Sequence, residues 1–496
     1  MATSNEPPPS PFQYLTTANL IWGVIGFYVL RTIIRAVRDP LSSVPGPLLS
    51  RWTDLHVRIR LLSGTKARYV NSLHEQYGPI VRLGPREVCV SDVKGAREIH
   101  RGKSKYLKDP QFYVGGKVRS LFSALDPAFH AQRKRTIERC FAETSMVDLE
   151  PTVFQKAELA ISKMRDDMKT NGCTDILHWW TLFAMDVIGE LCFGDSFHML
   201  EVGKKNQYAE DIAEMGSLLP LRGAFPSLIW LSGYLPIFSQ FKDIGNTRKR
   251  IIEYGIQRTE KYVQLVTKGG GRRTLFSSLV STSGAQSWVL SQEDLTNESQ
   301  SYITAGTDTT AVTLTYLIYA VTKDEHIREK LLQEIQSLPH DFNHRNLRDL
   351  TYLNQVIDET LRLYGAAAGA LPRIVPREGS ELVGHYLPGG AVVSTQNYTL
   401  HRNPEIFPDP EKFDPSRWAN PSPEAKSGFM PFGIGSRACI GLNLARMELR
   451  LCTAFFFKAF PTAKLSDKYG MTEDEMDPKI NFLVMPSGHR CLVETS

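Results

Sequence analysis

The sequence predicts a mainly helical protein with a small β region, and three observations carry that prediction. Apolar or amphipathic stretches with helical periodicity run from Trp179 to Leu191, Ser301 to Ala320 and Leu353 to Tyr364, separated by loops rich in Pro and Gly. Strand signals are fewer and short, at Ile80 to Val90, at Gly390 to Ser394 and near the C-terminus. The 496 residues are 42% hydrophobic, enough to bury a large core, and no internal repeat divides them.

Taken in chain order, residues 1–14 read as a short polar tail. Leu15 to Leu30 is mostly apolar, and Arg31, Arg35 and Arg38 follow it. The run is a little shorter than the roughly 20 residues a span needs. Ile33 and Ile34 extend it while Arg31 snorkels, so 15–36 predicts a transmembrane signal anchor. Positive charge after the run, and none before it, places the rest of the chain on the cytosolic side and argues against a cleaved signal. Pro40 and Pro45-Gly46-Pro47 predict a stiff linker over 37–50.

Within Ser301 to Ala320, the hexapeptide Ala305-Gly306-Thr307-Asp308-Thr309-Thr310 is an odd composition for a helix interior. Ala305 and Thr309 lie four apart and share a face, so a small side chain and a hydroxyl look into one cavity. Asp308 beside that hydroxyl suits proton delivery into a buried site. The same threonines can instead bond back to i−4 carbonyls and bend the helix. Glu359-Thr360-Leu361-Arg362 places an acid and a base three apart on a helix face, which alone reads as a solvated surface contact. Leu371-Pro372-Arg373 follows the small residues Gly365 to Ala370, which let an extended backbone approach a ligand closely.

The run Phe432-Gly433-Ile434-Gly435-Ser436-Arg437-Ala438-Cys439-Ile440-Gly441 isolates one cysteine in a glycine-rich turn. The glycines bring amide N–H groups toward the sulfur and Arg437 can neutralise a nearby anion, both favouring a thiolate. Phe432, Gly435, Arg437, Cys439 and Gly441 together would match by chance about once in ten thousand sequences. Such a loop suits heme iron held by sulfur.

These residues resemble the cytochrome P-450 family, whose heme-binding loop has the form Phe-x-x-Gly-x-Arg-x-Cys-x-Gly. The resemblance implies heme b with Cys439 as the axial ligand, its sulfur donating electron density that favours O–O cleavage. It implies Thr309 and Asp308 as the proton-delivery pair and Arg373 as a heme-propionate arginine. It also implies that Arg417, in Phe413-Asp414-Pro415-Ser416-Arg417-Trp418, joins Glu359 and Arg362 in a buried structural network. His130 and Lys134 match the family's second propionate contact with one departure. The family most often has Arg where Lys134 stands, so a point charge replaces a bidentate guanidinium, and Arg133 or Arg135 is the alternative.

Because pieces from His130 to Gly441 must converge, the resemblance implies a single heme-enclosing catalytic domain of the P-450 fold over 51–496. Tyr77-Gly78-Pro79-Ile80-Val81-Arg82-Leu83-Gly84-Pro85 and Gly189-Glu190-Leu191-Cys192-Phe193-Gly194 are similar to filamentous-fungal members that oxidise terpenoid, polyketide or alkaloid intermediates. The expected activity is NADPH- and O2-dependent mono-oxygenation of a hydrophobic secondary metabolite. A heme-thiolate isomerase or dehydratase, or a non-catalytic heme-binding protein, are the alternatives. Intact Asp308 and Thr309 argue against the first, which has no use for a proton relay.

The formal net charge of +5 is mild for this length and does not argue for nucleic acid binding. Seven cysteines, odd in number and irregular in spacing, suggest no disulfide framework, consistent with a cytosol-facing domain on the endoplasmic reticulum membrane. No Gly-rich dinucleotide fingerprint occurs, so NADPH electrons are expected from a separate flavoprotein, NADPH-cytochrome P-450 reductase, with cytochrome b5 as a further candidate donor. Arg133, Lys134, Arg135, Arg437, Arg446 and Arg450 are expected to offer it a basic face. The expected pocket segments are Gln111 to Leu125, Leu218 to Phe238, Ala305, and Ala366 to Leu371. Leu218 to Phe238 reads equally as a membrane-dipping surface or a core helix.

Overall fold

The computed structural model describes residues 17–113, 119–227, 240–268, 274–279 and 290–495. The expected tail 1–14 lies outside these, as do 114–118 and 228–238 of the expected pocket segments.

The molecule is organised around one long helix, Gln292–Lys323. Ser291 caps its start, its hydroxyl accepting from the Asp294 amide, and Glu293 and Asp294 suit the positive end of the helix dipole. At the far end Asp324 breaks the helix and caps the next one, Glu325–Gln336. The central helix packs on Ile176–Phe193, Thr351–Tyr364 and Leu442–Ala459, so the three helices legible in the sequence are neighbours in space. Ile176–Phe193 is apolar and long enough to cross a membrane, yet 83% of it is buried inside the protein. A helix hydrophobic all round belongs in a core. Its one buried acid, Asp186, accepts hydrogen bonds from the amides of Met199 and Leu200.

Two long helices were not legible. Glu143–Asn171 carries Pro151 in its interior, a residue that ordinarily ends a helix. Pro151 faces solvent, so water can take the carbonyl it leaves free. Gln240–Thr267 is largely polar.

The expected small sheet is five-stranded, in the order Ile80–Arg82, Glu87–Val90, Val392–Ser394, Arg373–Ile374, Leu107–Lys108, with three smaller sheets elsewhere. The signal at Ile80 to Val90 resolves into an antiparallel hairpin that pairs Ile80 with Val90 and Arg82 with Val88. At the other edge Lys108 pairs directly with Arg373. That register brings two basic side chains from distant sequence to one place.

The expected linker is not a free spacer. Leu41 and Val44 are buried, the Arg82 amide donates to the Pro45 carbonyl at 2.7 Å, and the Asp39 carboxylate pairs with Arg82 and Arg51. A Cβ on Gly46 would sit 2.7 Å from the Arg82 carbonyl oxygen, so glycine is what permits the contact. The packed body therefore begins near Asp39, ahead of the boundary drawn at 51. Before it, Thr17–Val37 is a helix whose described apolar side chains from Leu20 to Ile34, among them Trp22, Phe27 and Leu30, are exposed.

Candidate active site

The cysteine loop is tied down by its own backbone. The Cys439 amide donates to the Phe432 carbonyl at 2.8 Å and the Gly433 amide to the Met430 carbonyl at 2.9 Å. Gly435 has φ +69°, and a Cβ there would meet the His100 carbonyl oxygen at 2.3 Å, so conformation and space both require glycine. Helix Leu442–Ala459 starts directly after Gly441. The Cys439 side chain is accessible from the cleft above it, yet deep enough that burial pushes its thiol pKa up, while a hydrogen bond with the Gly441 backbone opposes the shift. Arg437 does not reach the sulfur; its Nη1 donates to the Ala124 carbonyl at 2.9 Å.

Around this cleft stands a cluster of basic groups. Burial, then Arg437 and Arg373, pulls the Lys108 ammonium down to about 6. Burial, then Arg437, Lys108, Lys134 and Arg373, pulls His130 down to about 3. Arg437 is lowered to about 10 by burial and Arg373, and Arg373 itself is lowered by burial. Arg373 is 5% exposed and its Nε has no hydrogen-bond partner. Among the described residues no carboxylate pairs with Lys108, His130 or Arg373. Basic groups gathered out of water repel one another's protons, and an anion placed among them would restore charge to Lys108. The two propionate groups of a heme would supply the anionic partners that these residues lack.

The central helix has an exposed stretch in its middle. Thr304 and Ala305 are exposed and Gly306, Asp308 and Thr309 partly so, between stretches that are buried. Thr309 donates back to the Ala305 carbonyl at 2.6 Å, and Thr304, Thr307 and Thr313 bond back in the same way. The back-bonding arrangement is therefore the one observed, and Thr309 remains partly exposed. Burial raises the Asp308 pKa, with distant Lys205 opposing. Thr310 breaks the pattern and donates to Glu448 at 2.9 Å.

Behind the cysteine loop, Glu359 and Arg362 form a bidentate pair at 2.8 and 2.9 Å with both side chains fully buried. Arg417 Nε and Trp418 Nε1 each reach Glu359 at 2.9 Å, and the Asp414 amide reaches it at 2.8 Å. Arg362 spends its remaining donors on the carbonyls of His401, Pro410 and Lys412. Taken alone the pair reads as a surface contact, but Glu359 and Arg362 are both fully buried and satisfied, with Arg417 closing the network from a partly exposed position.

Other expected contacts fall differently. Lys134 donates to the Ser436 carbonyl at 3.2 Å, bracing the rim of the cysteine loop. Arg133 is buried against Asp294 and Glu298. Arg446 pairs with Asp358 at 2.8 Å, and Arg450 is engaged by Asn354 and His344. With Arg437 turned inward, the expected six-residue basic face is reduced to Lys134 and Arg135. Lys108 and Glu448 went unrecognised. Lys108 sits on a two-residue strand with no motif around it, and Glu448 looks like any polar position of an amphipathic helix.

A mainly helical body that holds one exposed cysteine in a glycine-rich loop, with unpaired basic groups gathered beside it, has the make-up of a heme-thiolate protein. The sequence profile of the cytochrome P-450 family matches residues 45–492, and the chain belongs to that family and is a monooxygenase. It is 46% identical over 473 residues to cytochrome P-450 monooxygenase tazI of Aspergillus terreus, covering 94% of this chain and 96% of that protein. It is 40% identical over 476 residues to cytochrome P-450 monooxygenase orf2 of Aspergillus niger, covering 95% and 96%. Cytochrome P-450 monooxygenase aflV of Aspergillus parasiticus is 32% identical over 514 residues, covering 99% and 100%.

Proposed function

We propose that this monooxygenase uses NADPH-derived electrons and O2 to oxidise a hydrophobic secondary-metabolite intermediate of terpenoid, polyketide or alkaloid type. The observation that supports the reading is the cluster of Arg373, Arg437, Lys108 and His130 beside the loop that carries Cys439, with no carboxylate among the described residues paired to Lys108, His130 or Arg373. Cys439 would hold the heme iron through its sulfur, and Arg373, Arg437, His130 and Lys108 would hold the propionates. Heme, when bound, supplies the iron at which O2 is activated.

The chain's own part is to fix the sulfur, compensate the propionate charge and move protons. Thr309 Oγ1 releases its bond to Ala305 and donates into the cleft. Asp308, held toward its protonated form by burial, restores the proton to that oxygen. Small residues at Ala305 and along Ala366 to Ala370 leave room for a bulky apolar substrate. Electrons come from NADPH-cytochrome P-450 reductase, with cytochrome b5 as a second donor, because the sequence has no dinucleotide-binding fingerprint. The N-terminal helix anchors the protein in the endoplasmic reticulum membrane with the catalytic domain in the cytosol.

The test is co-expression with a reductase, supplied with NADPH, heavy-isotope O2 and a metabolite extract of the producing organism. A labelled product that disappears in Cys439→Ser supports the reading; NADPH-independent conversion of a metabolite would sink it in favour of an isomerase or dehydratase.

A further inference from the structure

Residues 120–124 form a small closed turn at the edge of the cleft. The Ala124 amide donates to the Ser120 carbonyl at 2.9 Å, and the Ser120 amide donates to the Ser123 hydroxyl at 2.9 Å. Three backbone groups of the turn are engaged from outside, by an acid at one end and by two bases at the other. On one side the Leu121 amide donates to both oxygens of Glu298, at 3.0 and 3.2 Å. On the other, the Phe122 carbonyl accepts from Lys108 Nζ and the Ala124 carbonyl from Arg437 Nη1. Glu298 is 0% exposed, and its nearest cation, Arg133, lies 3.8 Å away and is shared with Asp294. Burial raises the Glu298 pKa to about 7 and Tyr302 lies beside it, and the Leu121 amide is the backbone donor that fixes its two oxygens.

We propose that Glu298 is a positioning residue for the heme edge: through the backbone of the 120–124 turn it sets where Lys108 and Arg437 stand. The turn is a rigid spacer with its N–H toward the anion and its carbonyls toward the cations. Releasing Leu121 lets the turn swing, and the two cations lose their carbonyl acceptors. Glu298 touches neither substrate nor heme and acts only through the loop. The inference rests on the assignment of Lys108 and Arg437 to the propionates.

The experiment compares heme-loaded, full-length wild type with Glu298→Leu, Glu298→Gln and, as a remote control, Lys156→Met, which breaks a buried bond to Ser196 far along the chain. Hydrogen exchange of the peptide containing Leu121 and the rate of heme transfer to apomyoglobin are read together. Glu298→Leu should speed Leu121 exchange at least about tenfold, and heme loss about fivefold, because a bond to a charged acceptor is lost. Glu298→Gln, which keeps an acceptor oxygen, should stay close to wild type in both. Lys156→Met should lower the melting temperature and move neither. Unchanged exchange and heme loss in Glu298→Leu overturn the inference, as does a control that loses heme equally fast. Should Glu298→Leu not fold, Glu298→Asp, which withdraws the oxygens by one bond, must show both effects at smaller amplitude or the inference falls. A wild type without a thiolate-ligated heme spectrum would instead bring down the site assignment itself.

Discussion

Thr309 spends its proton on the Ala305 carbonyl at 2.6 Å, so proton delivery requires it to give up a hydrogen bond worth about 1 kcal/mol. A hydroxyl is needed and the methyl is not. Thr309→Ser should therefore keep product formed per NADPH near wild type, while Thr309→Ala should lower that ratio several-fold with NADPH still consumed; equal coupling in both would remove Thr309 from the relay. This pair was readable because small and polar residues are out of place inside an apolar helix. Glu448 was not readable, since its partner Thr310 is 138 positions away. Burial raises its pKa to about 8. Because the folded value lies above the unfolded one, the folded state keeps a proton that the unfolded state sheds. Stability is therefore intact below the unfolded pKa and falls as pH rises toward 8. The melting-temperature gain of Glu448→Gln over wild type should widen between about pH 5 and pH 8. A constant gap would show that Glu448 is ionised in the native protein. Two lysines divide in the same way. Lys108 faces the basic cluster and Lys134 the rim, so Lys108→Met should speed heme loss, whereas Lys134→Met should have a small effect.

At the scale of elements, the Glu359 network shows what spacing reveals and what it hides. An acid and a base at i and i+3 on one helix specify that they meet, and say nothing about burial. Burial is set by Phe413 to Trp418, which returns across the helix so that Arg417, Trp418 and the Asp414 amide complete the coordination of Glu359. Removing one partner leaves a buried charge uncompensated, at a cost of about 3–5 kcal/mol. Glu359→Ala should abolish recovery of heme-loaded protein, and Arg417→Ala, whose side chain is partly exposed, should reduce it less. Equal recovery of both with wild type would make the network dispensable. The same contrast runs through the secondary structure. Ile176–Phe193 and the central helix were legible because burial demands a dense apolar pattern. Glu143–Asn171 was not, because packing of its apolar stripe overrides the local signal of Pro151. The two-residue strands holding Lys108 and Arg373 are shorter than any period that could announce them.

At the scale of the whole molecule, the apolar surface is concentrated at the N-terminal side. The helix Thr17–Val37 is exposed along its apolar length, and its most apolar part, Trp22–Ile34, is short for a span on its own. Just beyond it, Leu48, Leu49, Trp52, Leu55, Ile59 and Leu62 are also exposed. These residues are fixed to the body: residues 39–47 pack on the sheet edge, and helix Leu55–Leu62 rests on Leu219–Ala224 through the bond from Arg58 to the Ala224 carbonyl. If the N-terminal helix anchors the protein as proposed, an apolar surface continuous with it would add affinity of the body for the bilayer and set its tilt. Deleting residues 1–37 should therefore release the protein from membranes only in part. Adding Leu49→Ser and Trp52→Ser should complete the release, while raised salt should not, because the retained contact is apolar and screening acts on charges. Complete release by the deletion alone, measured by flotation with neutral lipid vesicles, would assign all membrane affinity to the helix and leave the tilt of the body unspecified.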